Sequence, residues 1–227
     1  MNRLRAYLRV VVAIVRKDLA SELRSRETVS AMIVFSLLMV LVFSIALELD
    51  RTARENTAAG VLWATALFSG TLGLNRGLGR EQDRGTLDGL LLAPVDRSAL
   101  YLGKFLASWV QILAVQVITL PMLAGLYNLP LINPLVIAAL LLGTLGYAGV
   151  GTLLAALSAQ TRARDVLLPI LLLPVAVPVL IAGVQGTLGA LSNQPWSDYG
   201  VWFALLFAYD LIFVAAAIMT FDFVVGE

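Results

Sequence analysis

Arg80-Glu-Gln-Asp-Arg-Gly-Thr-Leu-Asp-Gly-Leu-Leu-Leu-Ala-Pro94 is a charged stretch set between two long apolar segments. Almost everything else in the chain is compatible with hydrocarbon, so this stretch belongs outside lipid, against water or a protein partner. Two short helices are expected in it. Gly85 permits the turn between them. Thr86 caps the second, Leu87, Leu90 and Leu91 form its apolar stripe, and Pro94 ends it. Glu81 and Asp83 lie at the front, with Arg80 and Arg84 one helical turn apart. A helix charged at one end and greasy along one face can wedge into a cleft of a soluble protein. It can equally lie on a bilayer, and composition alone does not choose.

The surrounding composition sets the solvent. Hydrophobic residues make up 59% of the 227 and charged residues 14%. A soluble domain carries about 25% charge, so the chain reads as an all-α, polytopic integral membrane protein. It contains no cysteine and no histidine. That removes thiol chemistry, disulfides, the commonest general base and the commonest metal or haem ligand. No GxxxxGK[ST] phosphate loop occurs, so any ATP hydrolysis belongs to a separate subunit. The chain is not expected to be an enzyme, to bind a cofactor directly or to contact nucleic acid.

Six membrane spans follow from the apolar runs, each near the 20 residues that cross the hydrocarbon. They cover 29–47, 57–74, 105–127, 134–157, 166–185 and 199–221. Residues 1–28 form a basic leader without the uninterrupted apolar core of a cleavable signal peptide. Leu4, Leu8, Val11, Val12, Val15 and Leu19 recur there at helical spacing, which predicts an amphipathic helix lying along the membrane surface. The domain reading is one permease unit, 1–227, with that leader and a polar loop at 75–98.

The loops fix the expected orientation. The leader, 75–104, 158–165 and the C-terminal tail hold fourteen lysines and arginines, and the other side holds only Arg51 and Arg54. By the positive-inside rule both termini are expected in the cytoplasm. On the opposite side the longest link is expected at 186–198, with a short re-entrant or interfacial piece and with Trp196 and Tyr199 at headgroup level.

Within the spans, Gly143, Gly146, Gly149 and Gly151 lie close together in the fourth, and Gly73 and Gly77 end the second. This spacing reads as packing inside the bundle rather than as a dimer interface. Pro169, Pro174 and Pro178 in the fifth predict a bent or locally opened helix, a possible gate. Pro121 and Pro134 are expected at span ends. Asp210 is the one acidic residue deep in a span, where a carboxylate must face protein, water or a cation. Its neighbour Tyr209 is not expected on the same helix face.

The charged stretch resembles the first cytoplasmic loop of permease subunits of type-2 ATP-binding-cassette exporters. In that superfamily an acidic segment, Arg-Gly-Thr-Leu/Met and a Leu-Leu-x-x-Pro turn form a coupling helix seated on the ATPase. The stretch opens at Arg80, and the matching positions are Glu81, Asp83, Arg84, Gly85, Thr86, Leu87, Leu90, Leu91 and Pro94. More narrowly, Arg16-Lys-Asp-Leu-Ala-Ser-Glu-Leu-Arg-Ser-Arg-Glu27, Gly60-Val-Leu-Trp63 and Gly70-Thr-Leu-Gly-Leu-Asn-Arg76 resemble the heme exporter protein B family. That family is the B subunit of cytochrome c maturation.

The resemblance implies an inner-membrane subunit working with an ATPase A subunit, a haem-handling C subunit and a small D subunit. It implies that ATP hydrolysis on the partner drives haem handling or release of a haem-loaded periplasmic chaperone. A substrate-exporting permease for haem, lipid or drug, and a nontransporting scaffold, stay open. A haem iron in transit would lack its usual histidine, though methionine, tyrosine or burial can suffice.

Overall fold

The computed structural model describes residues 2–46, 51–83, 95–159, 161, 163–192 and 194–225. These residues form seven helices and no strand: α1 Asn2–Ser25, α2 Glu27–Ala46, α3 Arg51–Asp83, α4 Arg97–Tyr127, α5 Pro134–Ala159, α6 Arg164–Leu191 and α7 Trp196–Val225. Six of them, α2 to α7, are long and apolar enough to cross a membrane. The chain is therefore a multi-pass, all-helical membrane protein. Because α2 to α7 alternate in direction, α1, the end of α3, the start of α4 and the α5–α6 link gather at one end. This is the end with most of the arginines, here called the basic end.

Local chemistry explains where the helices turn. Arg26 takes a left-handed conformation (φ 54°) between α1 and α2. Glu22 on the last turn of α1 reaches across it, and its Oε1 accepts the Val29 amide at 2.8 Å. The carboxylate thus satisfies one of the orphan donors at the α2 N-terminus. Asn128, also left-handed, closes α4, as asparagine does more readily than other non-glycine residues. Asn133 then caps α5 by accepting the Leu135 amide at 3.0 Å, with Pro134 at the first helical position.

Several expectations change at this level. Pro121 lies inside α4 rather than at its end. α6 runs unbroken through Pro169, Pro174 and Pro178, so the expected opening is not a break in the helix. It continues to Leu191, and α7 starts at Trp196, leaving only 192–195 between them. The re-entrant piece expected at 186–198 is therefore helix. Trp196 is exposed and Tyr199 is buried. Its ring fits against Gly189, where a Cβ would collide with it, so α6 and α7 close on each other there.

The interior is organised by α3 and α5, most of whose residues are buried, while α2 and α7 keep broad outward apolar faces. Lipid offers no hydrophobic drive for helices to associate, so contact quality decides the packing. Trp63 on α3 is fully buried. Its indole fills the space that side chains at Gly143 on α5 and Gly183 on α6 would occupy. Its Nε1–H donates to Thr187 Oγ1 on α6 at 3.0 Å. Gly149 meets Val214, Gly151 meets Leu74, and Gly73 meets Met32, all inside the bundle. Gly77 meets nothing. Except at Gly77, the glycine pattern is intrabundle packing, as its spacing predicted.

Candidate functional site

Two helix ends flank the charged stretch at the basic end; they are called stalks below. The apolar part of α3 ends at Gly77, and six more residues run to Asp83, about 9 Å of helix. On the other side, α4 begins at Arg97, ahead of Lys104 and the apolar run from Phe105. The charged stretch lies between these two stalks. Arg80, Glu81 and Asp83 occupy the last turn of α3, so the front of the stretch is not a separate short helix. Helical hydrogen bonding carries on past the span because nothing up to Asp83 breaks it. Arg84, Gly85, Thr86, Leu87, Leu90, Leu91 and Pro94 lie outside the described residues, and so does the expected coupling helix.

Both stalks are braced from the side. Arg164, at the start of α6, packs its guanidinium on Gly79 and donates to the Gly79 carbonyl at 3.4 Å. Beside it the Asn75 amide donates to Asp165 Oδ1 at 3.0 Å. The end of α3 is thus tied to the α5–α6 link. The start of α4 is tied to α1. Asp96 caps α4, accepting from the Ser98 amide at 2.9 Å and the Ser98 hydroxyl at 2.7 Å. Ser98 has one hydroxyl proton, and it goes to Asp96. The Tyr7 hydroxyl therefore donates to Ser98 Oγ, at 3.0 Å.

Deeper along the same contact, Lys104 Nζ meets Asp18 Oδ2 at 2.8 Å, with 8% and 14% of the two side chains exposed. Asp18 Oδ1 also meets Lys17 at 3.1 Å. Ile14 fills the space beside Gly103. Sequence reasoning counted Lys104 only as a topology marker and Asp18 only as a motif residue. A lysine one residue before an apolar run was the available signal, because a buried ammonium requires a partner.

The Lys104–Asp18 pair gives a testable coupling. Lys104→Ala leaves Asp18 with one cation in place of two, in a site that water barely reaches. The expected loss is about 2–3 kcal/mol of bundle stability. Adding Asp18→Ala should restore part of it, giving a coupling energy of about 1–2 kcal/mol in a double-mutant cycle read by denaturant unfolding in micelles. A coupling near zero, as for exposed ion pairs, would show that α1 is not clamped here.

Asp210 stands apart from this end, inside the span of α7. It is 6% exposed, and among the described residues neither carboxylate oxygen has a hydrogen-bond partner. Its Oδ1 and the Tyr209 ring both rest on Gly146 of α5. The two neighbours do meet one surface after all, because a glycine lets the α5 backbone enter the notch between them. The Tyr209 hydroxyl donates to the Val175 carbonyl of α6 at 3.0 Å, three residues before Pro178. Ser36, Thr65 and Gln116 also hold buried polar atoms without a partner in the chain.

A family model described as CcmB protein matches residues 9–225. The chain belongs to the CcmB family. The chain is also similar to proteins named heme exporter protein B. That of Pseudomonas aeruginosa is 29% identical over 187 residues, covering 82% of this chain and 84% of the relative. That of Rhodobacter capsulatus is 32% identical over 174 residues, 76% of this chain and 80% of the relative. That of Bradyrhizobium diazoefficiens is 28% identical over 201 residues, 88% and 90%. In this CcmB-family chain the matched region takes in all six spans and both stalks, and of the braces it leaves out only Tyr7, at the start of α1.

Proposed function

We propose that this chain is the membrane subunit of an ATP-driven complex of cytochrome c maturation. In this reading a separate ATP-binding-cassette ATPase seats against the segment Arg80–Pro94. Nucleotide binding closes that ATPase and moves the segment, and α3 and α4 carry the shift into the bundle. The observation that supports this reading is that the helix ends on either side of the segment in sequence, the end of α3 and the start of α4, are each braced by a separate neighbour. A force applied to the segment acts on two rigid helices that reach the bundle interior. The three prolines make α6 the helix best able to bend in response.

The reading extends to place and partners. The chain lies in the cytoplasmic membrane, with the basic end and both termini in the cytoplasm. It works with an ATPase A subunit, a haem-handling C subunit and a small D subunit. Haem is cargo of the complex rather than a group resident in this chain, and the step powered is haem handling or release of the haem-loaded periplasmic chaperone. The relatives' printed name favours a second reading, export of haem through this subunit. The buried, unpartnered Ser36, Thr65, Gln116 and Asp210 are the polar groups that such a path would use.

Copurification with the ATPase, followed by a release assay, tests the proposal. The chain should hold the ATPase through washing. The chaperone should leave the complex with ATP and stay bound with a nonhydrolysable analogue. Release at the same rate without any nucleotide would sink it.

A further inference from the structure

α1 presents three sectors, and only one of them is used inside the chain. Tyr7, Val11, Ile14 and Asp18 recur at spacings of three and four and face α4. Next to them runs an apolar stripe that the described residues leave largely uncovered: Leu4, Leu8, Val12 and Leu23 are 65%, 52%, 63% and 74% exposed. Beyond the stripe lies a basic sector with Arg5, Arg9 and Arg16, all exposed. Leu8, Val12 and these three arginines line one open groove along the helix.

The acidic residues of α1 sharpen the charge of this surface. There are two, and both turn inward: Asp18 to Lys104, and Glu22 to the amide at the start of α2. The outward surface is left with cations beside exposed leucine and valine. Only Arg26 separates α1 from the α2 span, so α1 starts close to the membrane surface. Its stripe is thereby within reach of the boundary between headgroups and acyl chains, and when it enters there the arginines come to the depth of the phosphates.

We propose that this outward face of α1 binds the anionic phospholipid headgroups of the leaflet at the basic end. Leu4, Leu8 and Val12 enter the acyl boundary, and Arg5, Arg9 and Arg16 take the headgroup charge. A neutral surface would leave the arginines without counter-charge and so hold the stripe more weakly. Near an anionic leaflet each such residue is worth about 1 kcal/mol, roughly fivefold. Because the other face of α1 clamps Lys104 and Ser98, lipid charge then acts on the start of α4.

The absence of cysteine makes the test direct, since a bimane probe on L8C is unique in the full chain. The labelled protein is reconstituted in phosphatidylcholine vesicles, and in mixed phosphatidylcholine–phosphatidylglycerol vesicles, each carrying brominated acyl chains. The inserted fraction, read from quenching, should be at least about tenfold favoured in the anionic vesicles, from roughly fivefold per arginine. Added salt should reverse the preference. Arg5→Gln with Arg9→Gln and Arg16→Gln should remove it, and if that variant does not accumulate, the salt titration of L8C alone reads the same dependence. Equal insertion in both vesicle types overturns the proposal. So does a probe that stays in water in both and is shielded only when the ATPase is added, which would make this face a protein-docking surface.

Discussion

Charge reversal at Glu81 and Asp83 together, Glu81→Arg with Asp83→Arg, is expected to abolish ATP-dependent cytochrome c maturation while the span bundle persists. Both residues lie on the last turn of α3, beyond the apolar part of the helix that ends at Gly77. Reversal there changes the charge of the segment offered to the ATPase by four units, with no change inside the lipid. Like charges brought together across an interface cost several kcal/mol, enough to lower occupancy of the docked state by orders of magnitude. The arginines also stand at the end of α3 where its carbonyls are orphaned, a favourable place for cations, so the helix itself is not weakened. Holocytochrome c yield measures the outcome, with membrane accumulation of the variant as the control. Normal yield with normal accumulation would remove the coupling role and leave a scaffold.

The second large effect concerns Trp63. Trp63→Ala is expected to lower bundle stability by about 3–5 kcal/mol, the range for emptying a large buried aromatic site. Three helices meet on this indole, and two of them do so through glycines that cannot refill the space. Trp63→Phe keeps most of the ring and loses the bond to Thr187, for about 0.6–1 kcal/mol plus a smaller packing loss. Gly183→Val approaches the same contact from α6 and forces a methyl-bearing side chain into the indole, with an overpacking cost of about 1–3 kcal/mol or more. Gly125→Ala is the control, since no atom lies within 4 Å of a Cβ built there. Unfolding in mixed micelles ranks the four variants. An unchanged midpoint for Trp63→Ala would mean that α3, α5 and α6 do not close on this residue.

The parts of the fold that were legible in the sequence share one property: they are local. Each span is an apolar run bounded by charge or by Asn and Pro, and hydropathy reads it without reference to any other residue. The predicted 134–157 and 105–127 fall within α5 and α4 for that reason. The glycines of α5 were legible as packing positions because lipid rewards close approach and little else. Their partners were not. Trp63 and Thr187 are 124 residues apart, and no pattern near either one names the other. Tyr199 is another such case: the sequence marks it as an aromatic beside a span end, and only the structure shows its ring set against Gly189 on the facing helix.

The candidate site divides in the same way. Arg80–Pro94 declared itself by charge against an apolar background, and its Arg84-Gly-Thr-Leu87 turn carried the family resemblance. That α3 continues through Arg80 and Asp83, that Arg164 braces Gly79, and that Asp18 holds Lys104 were matters for the tertiary structure. Sequence by itself determined the solvent, the number of spans and the end that carries the charge, because transfer from water to hydrocarbon is settled residue by residue. The tertiary structure decided which glycine receives which ring, which carboxylate meets which cation, and that the basic leader is clamped to α4 by one face and open by another. Those choices depend on contact between distant segments, where van der Waals fit and hydrogen-bond geometry, rather than hydropathy, select the arrangement.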